Sequence, residues 1–380
     1  MTGTGLAPRP LAGPLPRALH PGAWWLWALC LAVVASRTTN PLLLACLIAV
    51  AGLVVARRRG DAPWALSFRM YLLFGAVIVV LRVLFRIVFG GGGGETVLLT
   101  LPEIPLPEAA AGIRLLGPVA AEEVLGGAYD GLRLAAMVIG VGAANALANP
   151  KRLLKTLPGA LHEIGTSVVV ALSVAPQLVE SVGRVRRARQ LRGGIGTGRR
   201  AVRGILIPVL EDALARSLAL AAAMASRGYG RTGAVAGGRR ALVGTLVVGG
   251  LLGVCAGLYG LLDGSAPPAL GLPLLLGGLA VAVAGLAAGG RRVRRTGYRP
   301  DRWRGAELLT VASGLAAALV MHLATEVDPT DVYPSLTPLS WPEVSALPLA
   351  AILLGVLPGY LTPPPPPSEE PAAPPSEVTA

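Results

Sequence analysis

The sequence predicts an all-α integral membrane protein, with about eight candidate transmembrane helices and two long amphipathic helices held out of the bilayer centre. Three observations predict it. Hydrophobic residues make up 53% of the 380 and charged residues only 14%, with a mean hydropathy of +0.63. A soluble domain of this length needs a more polar surface. The apolar residues also gather into runs near the roughly 20 residues that cross a bilayer. Finally, the net charge of +13 is concentrated between particular runs, where orientation signals belong.

Candidate spans fall at 22–37, 40–56, 64–89, 127–148, 241–262, 270–290, 306–324 and 345–361. Residues 1–21 precede them, and the first run lacks the small-residue site of a cleavable signal peptide. That run is short and the second opens at Asn40-Pro41, so the pair fits a tight or partly re-entrant hairpin. Three segments hold most of the positive charge: Arg57–Arg59, 149–240, and 291–304 with its seven arginines. Loop 90–126 instead carries Glu95, Glu103, Glu108, Glu122 and Glu123 against Arg114, and 325–344 has no Lys or Arg. Eight spans put every basic segment on one side, which the positive-inside rule assigns to the cytoplasm together with both termini. The organisation read from sequence is therefore an N-terminal cytoplasmic segment 1–21, membrane helices over 22–148 with external loop 90–126, a cytoplasmic region 149–240, C-terminal membrane helices over 241–361, and a tail 362–380.

Loop 90–126 opens with five glycines, but no Gly-Lys-Ser/Thr follows, so it reads as an external linker rather than a phosphate cradle. Its Val97–Leu101 run fits a short strand or an interfacial segment. The tail is rich in Pro, Glu and Ser, a composition that cannot build a packed core.

Region 149–240 departs most from the membrane pattern. Ala175-Pro-Gln-Leu-Val-Glu180 leads to Arg189-Gln-Leu-Arg-Gly193, and Ile207-Pro-Val-Leu-Glu211 leads to Met224-Ala-Ser-Arg-Gly-Tyr-Gly230. The stretch 165–180 is apolar but too short to span, while 201–225 carries Glu211, Asp212 and Arg216 mid-run, which is costly against lipid. Leu206, Leu210, Ala213, Leu214, Leu218 and Ala221 recur at helical spacing as one stripe, with Asp212 and Arg216 as an i,i+4 pair opposite it. The reading is two interfacial helices, 165–192 and 201–227, each stopped by an Arg-Gly whose glycine takes the left-handed conformation.

Other chemistry is thin. Cys30, Cys46 and Cys255 lie in apolar runs without CxxC spacing and read as small hydrophobes. His20, His162 and His322 lack ligand spacing, so no metal site is expected. With aromatics at 4% there is no stacking platform, so nucleic acid is not an expected partner. No Walker A, Ser-His-Asp order or paired intramembrane carboxylate is present. Asp130 and Glu163 have solvated readings near segment ends, and Arg82 and Arg86 fit snorkelling or a pair with a loop carboxylate.

Thr39-Asn-Pro41, Arg82-Val-Leu-Phe-Arg86, Leu147-Ala-Asn-Pro-Lys-Arg-Leu-Leu-Lys-Thr-Leu-Pro-Gly-Ala-Leu161 and the paired Arg-Gly strings resemble the CbiQ-like T component of energy-coupling factor (ECF) transporters over roughly 20–240. The resemblance implies that the two amphipathic helices are cytoplasmic coupling helices. Each would end in a short motif that docks on an ABC-type ATPase: Leu191-Arg192-Gly193 and Ser226-Arg227-Gly228, with Ala188-Arg189-Gln190 as the alternative first register. Leu191 stands where the family commonly has alanine. The implied partners are two cytoplasmic ATPases, separate or fused, and a substrate-binding membrane subunit. ATP would be used by those partners, with no cofactor bound here, in uptake of a vitamin or transition-metal ion across the cell membrane. Arg184, Arg186, Arg187, Arg199 and Arg200 read instead as boundary anchors. A self-contained secondary transporter, a membrane enzyme and a pure structural anchor are the alternatives. The anchor reading requires Arg192 and Arg227 to be silent on substitution.

Overall fold

The computed structural model describes residues 16–60, 67–89, 94–102, 116–156, 161–192, 198–229, 237–262, 267, 270–290 and 301–366. In chain order the elements are α1 (Pro21–Ser36), α2 (Pro41–Arg58), α3 (Phe68–Phe89), β1 (Val97–Thr100), β2 (Pro118–Ala120), α4 (Ala121–Leu147), α5 (Pro150–Lys155), α6 (His162–Leu191), α7 (Gly198–Ser226), α8 (Gly237–Leu262), α9 (Leu272–Gly290), α10 (Gly305–Val327), α11 (Pro329–Val332), α12 (Ala346–Leu354) and α13 (Pro358–Leu361). Among the described residues the fold is all-α apart from β1 and β2, which pair antiparallel. Among the described residues seven helices are long and apolar enough to cross a membrane: α2, α3, α4, Ile164–Leu191 of α6, Ala241–Leu262 of α8, Leu272–Gly289 of α9, and α10.

The chain divides into two compact units, Met1–Leu153 with Asp301–Ala380, and Leu154–Pro300. In the first, α1 packs on α4 and α10, α2 on α4 and α12, and α3 on α4. Trp27, Leu31, Leu43, Leu44, Met321 and Ile352 are fully or almost fully buried in its core. Helix starts explain much of this geometry. Pro21 and Pro41 occupy first-turn positions, where a missing N–H costs nothing. The Asn40 side chain caps α2 by accepting from Leu42 N at 3.0 Å, and donates from Nδ2 to Asp331 O at 3.1 Å and Glu343 O at 2.7 Å. Thr38 Oγ1 donates to Val332 O at 2.8 Å, and Trp27 Nε1 to Gly355 O at 3.1 Å. At the start of α10, buried Glu307 accepts from Arg17 Nη2 at 2.8 Å, His20 N at 3.2 Å and Arg304 N at 3.0 Å. Buried Thr38 and Asn40 thus tie the turn between α1 and α2 to α11 and to the Glu343 backbone.

In the second unit α8 and α9 form a close-packed pair. A Cβ on Gly253 would lie 3.0 Å from Gly278 Cα, so glycine on both helices lets the backbones touch.

Four expectations need correction. Helix α4 begins at Ala121, six residues ahead of the expected span, because Glu122 and Glu123 sit in its first turn, where acids favour the helix dipole. The last candidate span, 345–361, is broken between α12 and α13 by the Gly355–Leu357 turn ahead of Pro358. The apolar stretch read as too short at 165–180 belongs to the 28-residue helical segment Ile164–Leu191, which by length and composition is long and apolar enough to cross. Arg86 pairs with Asp130 of α4 at 3.5 Å, not with a loop carboxylate. The Val97–Thr100 run is the strand that its pattern allowed. The five glycines except Gly94, the loop acids Glu103 and Glu108, the arginines at 291–299, and the tail beyond 366 lie outside the described residues.

Candidate functional site

The candidate site is the α6–α7 hairpin, with helices 30 and 29 residues long where the sequence reading expects 165–192 and 201–227. Each helix contains a proline, Pro176 and Pro208. Pro208 has no N–H to give the Gly204 carbonyl one turn back, which weakens the helix locally. The guanidinium of Arg189 from α6 lies over that same turn, in the space a Cβ on Gly204 would fill. Eight residues away on each helix is a second fastening. Ser181 Oγ donates to Asp212 Oδ2 at 2.7 Å, and Arg184 Nη2 reaches the same oxygen at 3.2 Å. Arg216 adds Nε to Oδ1 at 3.1 Å and Nη2 to Oδ2 at 2.8 Å. Pairing 181 with 212 and 189 with 204 makes the helices antiparallel. The Ser181 hydroxyl, with the Arg216 and Arg184 guanidiniums behind it, holds the Asp212 carboxyl below the usual carboxylate range.

The two faces of α7 separate as its periodicity expects, with the polar one packed on α6. Asp212 turns towards α6, while Leu206, Leu210, Leu214 and Leu218 are exposed in this unit. The polar groups satisfy one another inside the hairpin, and the apolar stripe is left for lipid or a partner.

The second motif is an ordered helix end. Gly228 sits at φ +79°, its N–H reaches Ala225 O at 3.0 Å, and Tyr229 N reaches Met224 O at 3.0 Å. These two bonds and the left-handed glycine make a Schellman cap. Ser226 Oγ donates to Ala223 O at 2.9 Å, and Ser226, Arg227 and Gly228 are all exposed. At the other end Leu191 is 90% exposed and Arg192, also exposed, donates its N–H to Arg189 O at 3.1 Å. Gly193 lies outside the described residues. Arg189 is half-buried against α7, whereas Arg192 faces outward, which separates the two registers of the first motif by environment. Ala188 and Gln190 are exposed beside it. The hairpin does not bring Arg192 and Arg227 together. They lie towards opposite ends of α7, a helix that spans about 40 Å at the usual rise per residue.

Sequence reading identified Asp212 and Arg216 as a pair, read Arg184 as a boundary anchor rather than a partner of Asp212, and missed Ser181 and Gly204. No spacing rule links them, because their partners are on another helix. Elsewhere, Arg82, Phe85, Arg86 and Phe89 line an open cavity of about 270 Å³ on α3. His20 caps α1 by accepting from Gly22 N at 3.1 Å, and no group of metal-ligating side chains occurs among the described residues.

The fold and this hairpin define a multi-pass helical membrane protein. The chain matches the family CbiQ, Cobalt transport protein, over residues 17–235, more than half its length, and it belongs to that family. By that membership it is a membrane component of transport. No curated protein matches it in sequence.

Proposed function

We propose that this chain is the coupling subunit of an ATP-driven micronutrient importer. It takes up the closure of two cytoplasmic ABC-type ATPases, separate or fused, and passes it to a substrate-binding membrane subunit. The observation that carries the reading is one fastened hairpin presenting two exposed arginine ends. An arginine at a helix C-terminus complements the dipole and is free to meet a carboxylate on a docked partner. Ends separated by a helix of about 40 Å suit two ATPase subunits better than one. Cobalt is the first cargo to test, given the family; vitamins and other transition-metal ions remain in the class. ATP is hydrolysed in the partners, and this chain binds no cofactor of its own.

The length of α6 favours a second placement, in which Ile164–Leu191 crosses the bilayer. That placement would put Lys151, Arg152 and Lys155 on the opposite side from Arg184–Arg192, splitting the basic region across both leaflets. The positive-inside rule opposes the split and keeps 149–240 and both termini cytoplasmic. Single cysteines at Lys155 and Arg187 should therefore label from the same, cytoplasmic, side; labelling from opposite sides would establish the crossing helix.

The deciding experiment reverses both arginines. Arg192→Glu with Arg227→Glu should cut cobalt uptake by tenfold or more at normal membrane expression, because an interface loses an attractive pair and gains repulsion worth about 2 kcal/mol or more. ATPase subunits should no longer co-purify. Arg199→Glu or Arg200→Glu, as boundary anchors, should do much less. Unchanged uptake in the double variant removes the coupling reading and leaves both arginines as anchors. A defect in Arg189→Glu with none in Arg192→Glu would move the first motif by three residues.

A further inference from the structure

Helices α6 and α7 are fastened over a short stretch, between Ser181 and Arg189 on one and Gly204 and Asp212 on the other. Beyond it, Leu214 to Ser226 of α7 stands free on nearly every side within this unit. A pair of long helices touching over so little length can scissor about the contact. Apolar packing does little to stop this, being non-directional. Hydrogen bonds to a carboxylate are directional, and charge-assisted ones are the strong class.

The Asp212 cluster has the form of such a stop. Both of its carboxylate oxygens are engaged: one by the Ser181 hydroxyl, Arg184 and Arg216, the other by Arg216 alone. Ser181 is 3% exposed, so its hydroxyl is committed to this contact. The arginines are each nearly half exposed, so the ion pairs alone contribute little to stability. What the arrangement supplies is angle. Asp212 and the Arg189–Gly204 contact lie eight residues apart, about 12 Å along the helix. One fastening is a pivot; two define a line. Neighbouring Glu211 is exposed and outside this set of contacts, so the role belongs to Asp212.

We propose that Asp212 is a positioning residue that fixes the crossing angle of α6 and α7, so that the two arginine ends move as one body. The proposal rests on the coupling reading for its purpose, but not for its geometry. Without Asp212 an ATPase can still dock at either end, and its displacement is absorbed by scissoring before it reaches the membrane helices.

The test uses the full chain with its native cysteines replaced, reconstituted in lipid nanodiscs, with spin labels at exposed Val179 of α6 and Leu218 of α7. Pulsed dipolar spectroscopy reads the distance between them. The otherwise unaltered chain should give one narrow distribution, unchanged when co-purified ATPases are cycled with ATP. Asp212→Asn should broaden it, and Ser181→Ala, a milder change that removes a single hydroxyl, should broaden it to a lesser degree. In proteoliposomes, Asp212→Asn should retain ATPase co-purification and ATP hydrolysis, yet lower cobalt uptake per ATP by at least about fivefold, the low end of coupling between sites. Asp212→Glu should recover part of the ratio. A native distribution in both Asp212→Asn and Ser181→Ala, or a broad one in the unaltered chain, overturns the proposal. The distances are measurable on the chain without partners, so they decide on Asp212 even where the double arginine reversal sinks the coupling reading.

Discussion

Gly228 is the residue whose role follows most directly from backbone geometry. At φ +79° an L side chain is strained, and open space around its Cβ position leaves no steric clash to confuse the result. Gly228→Ala should therefore cost about 1–2 kcal/mol of local order. Amide exchange at Arg227 and Tyr229 should quicken by about tenfold, while the helix bundle melts where it did before. An unchanged exchange rate would show that the cap does not order Arg227. Asp212 gives a signed pH expectation. Its folded carboxyl titrates below the ordinary 3.8, so the charge that holds Ser181, Arg184 and Arg216 is present throughout the physiological range. A depressed acid contributes stability above its unfolded pKa and loses it as pH falls through the folded one. The α6–α7 distance distribution should thus be the same at pH 8 and pH 5. Loosening with a midpoint near 6 would assign the fastening to some other group.

Legibility at the scale of elements divided along a physical line. Continuous apolar runs such as α3, α8 and α9 were readable because length and hydropathy alone define them. The Arg-Gly stop of α7 was readable because it is a local backbone rule, and Gly228 bears it out. The start of α4 was not, since Glu122 and Glu123 look like loop residues until the dipole is considered. Nor was the inward face of α7: periodicity finds a stripe but does not say which side a neighbour covers. Ser181 and Asp212 are 31 positions apart, and only the fold makes them partners. Asn40 shows the same mixture. Its place before Pro41 announces a cap, but its bonds to Asp331 O and Glu343 O are invisible in sequence. Asn40→Ala removes a cap and two part-buried bonds, each worth about 1 kcal/mol, so the solubilised protein should lose about 3 kcal/mol. A thermal midpoint within a degree of the parent would show that α2 and the α10–α12 connections are held together by something else.

At the scale of the molecule, the family match ends at residue 235, yet the first compact unit draws on residues 301–380. Met321 and Ile352 are fully buried beside Trp27 and Leu31, and the Glu307, Val332 and Gly355 positions receive bonds from the N-terminal helices. Cutting the chain after 235 removes all of these partners at once. Each large core side chain removed costs about 2–5 kcal/mol, and several together exceed the 5–15 kcal/mol that holds a typical domain. The pair α8–α9 is different: it packs on itself, and it comprises two candidate spans. An even number of spans can be deleted without reversing the side on which the following helix begins. A chain ending at 235 should therefore be degraded or aggregate, as read by membrane-fraction yield and size-exclusion profile. A chain with 241–290 replaced by a Gly/Ser linker should insert, elute as a single species and still co-purify ATPases through Arg192 and Arg227. A stable chain ending at 235 would show that the helices after it are an appendage, and failure of the 241–290 replacement would show that α8–α9 also supports the fold.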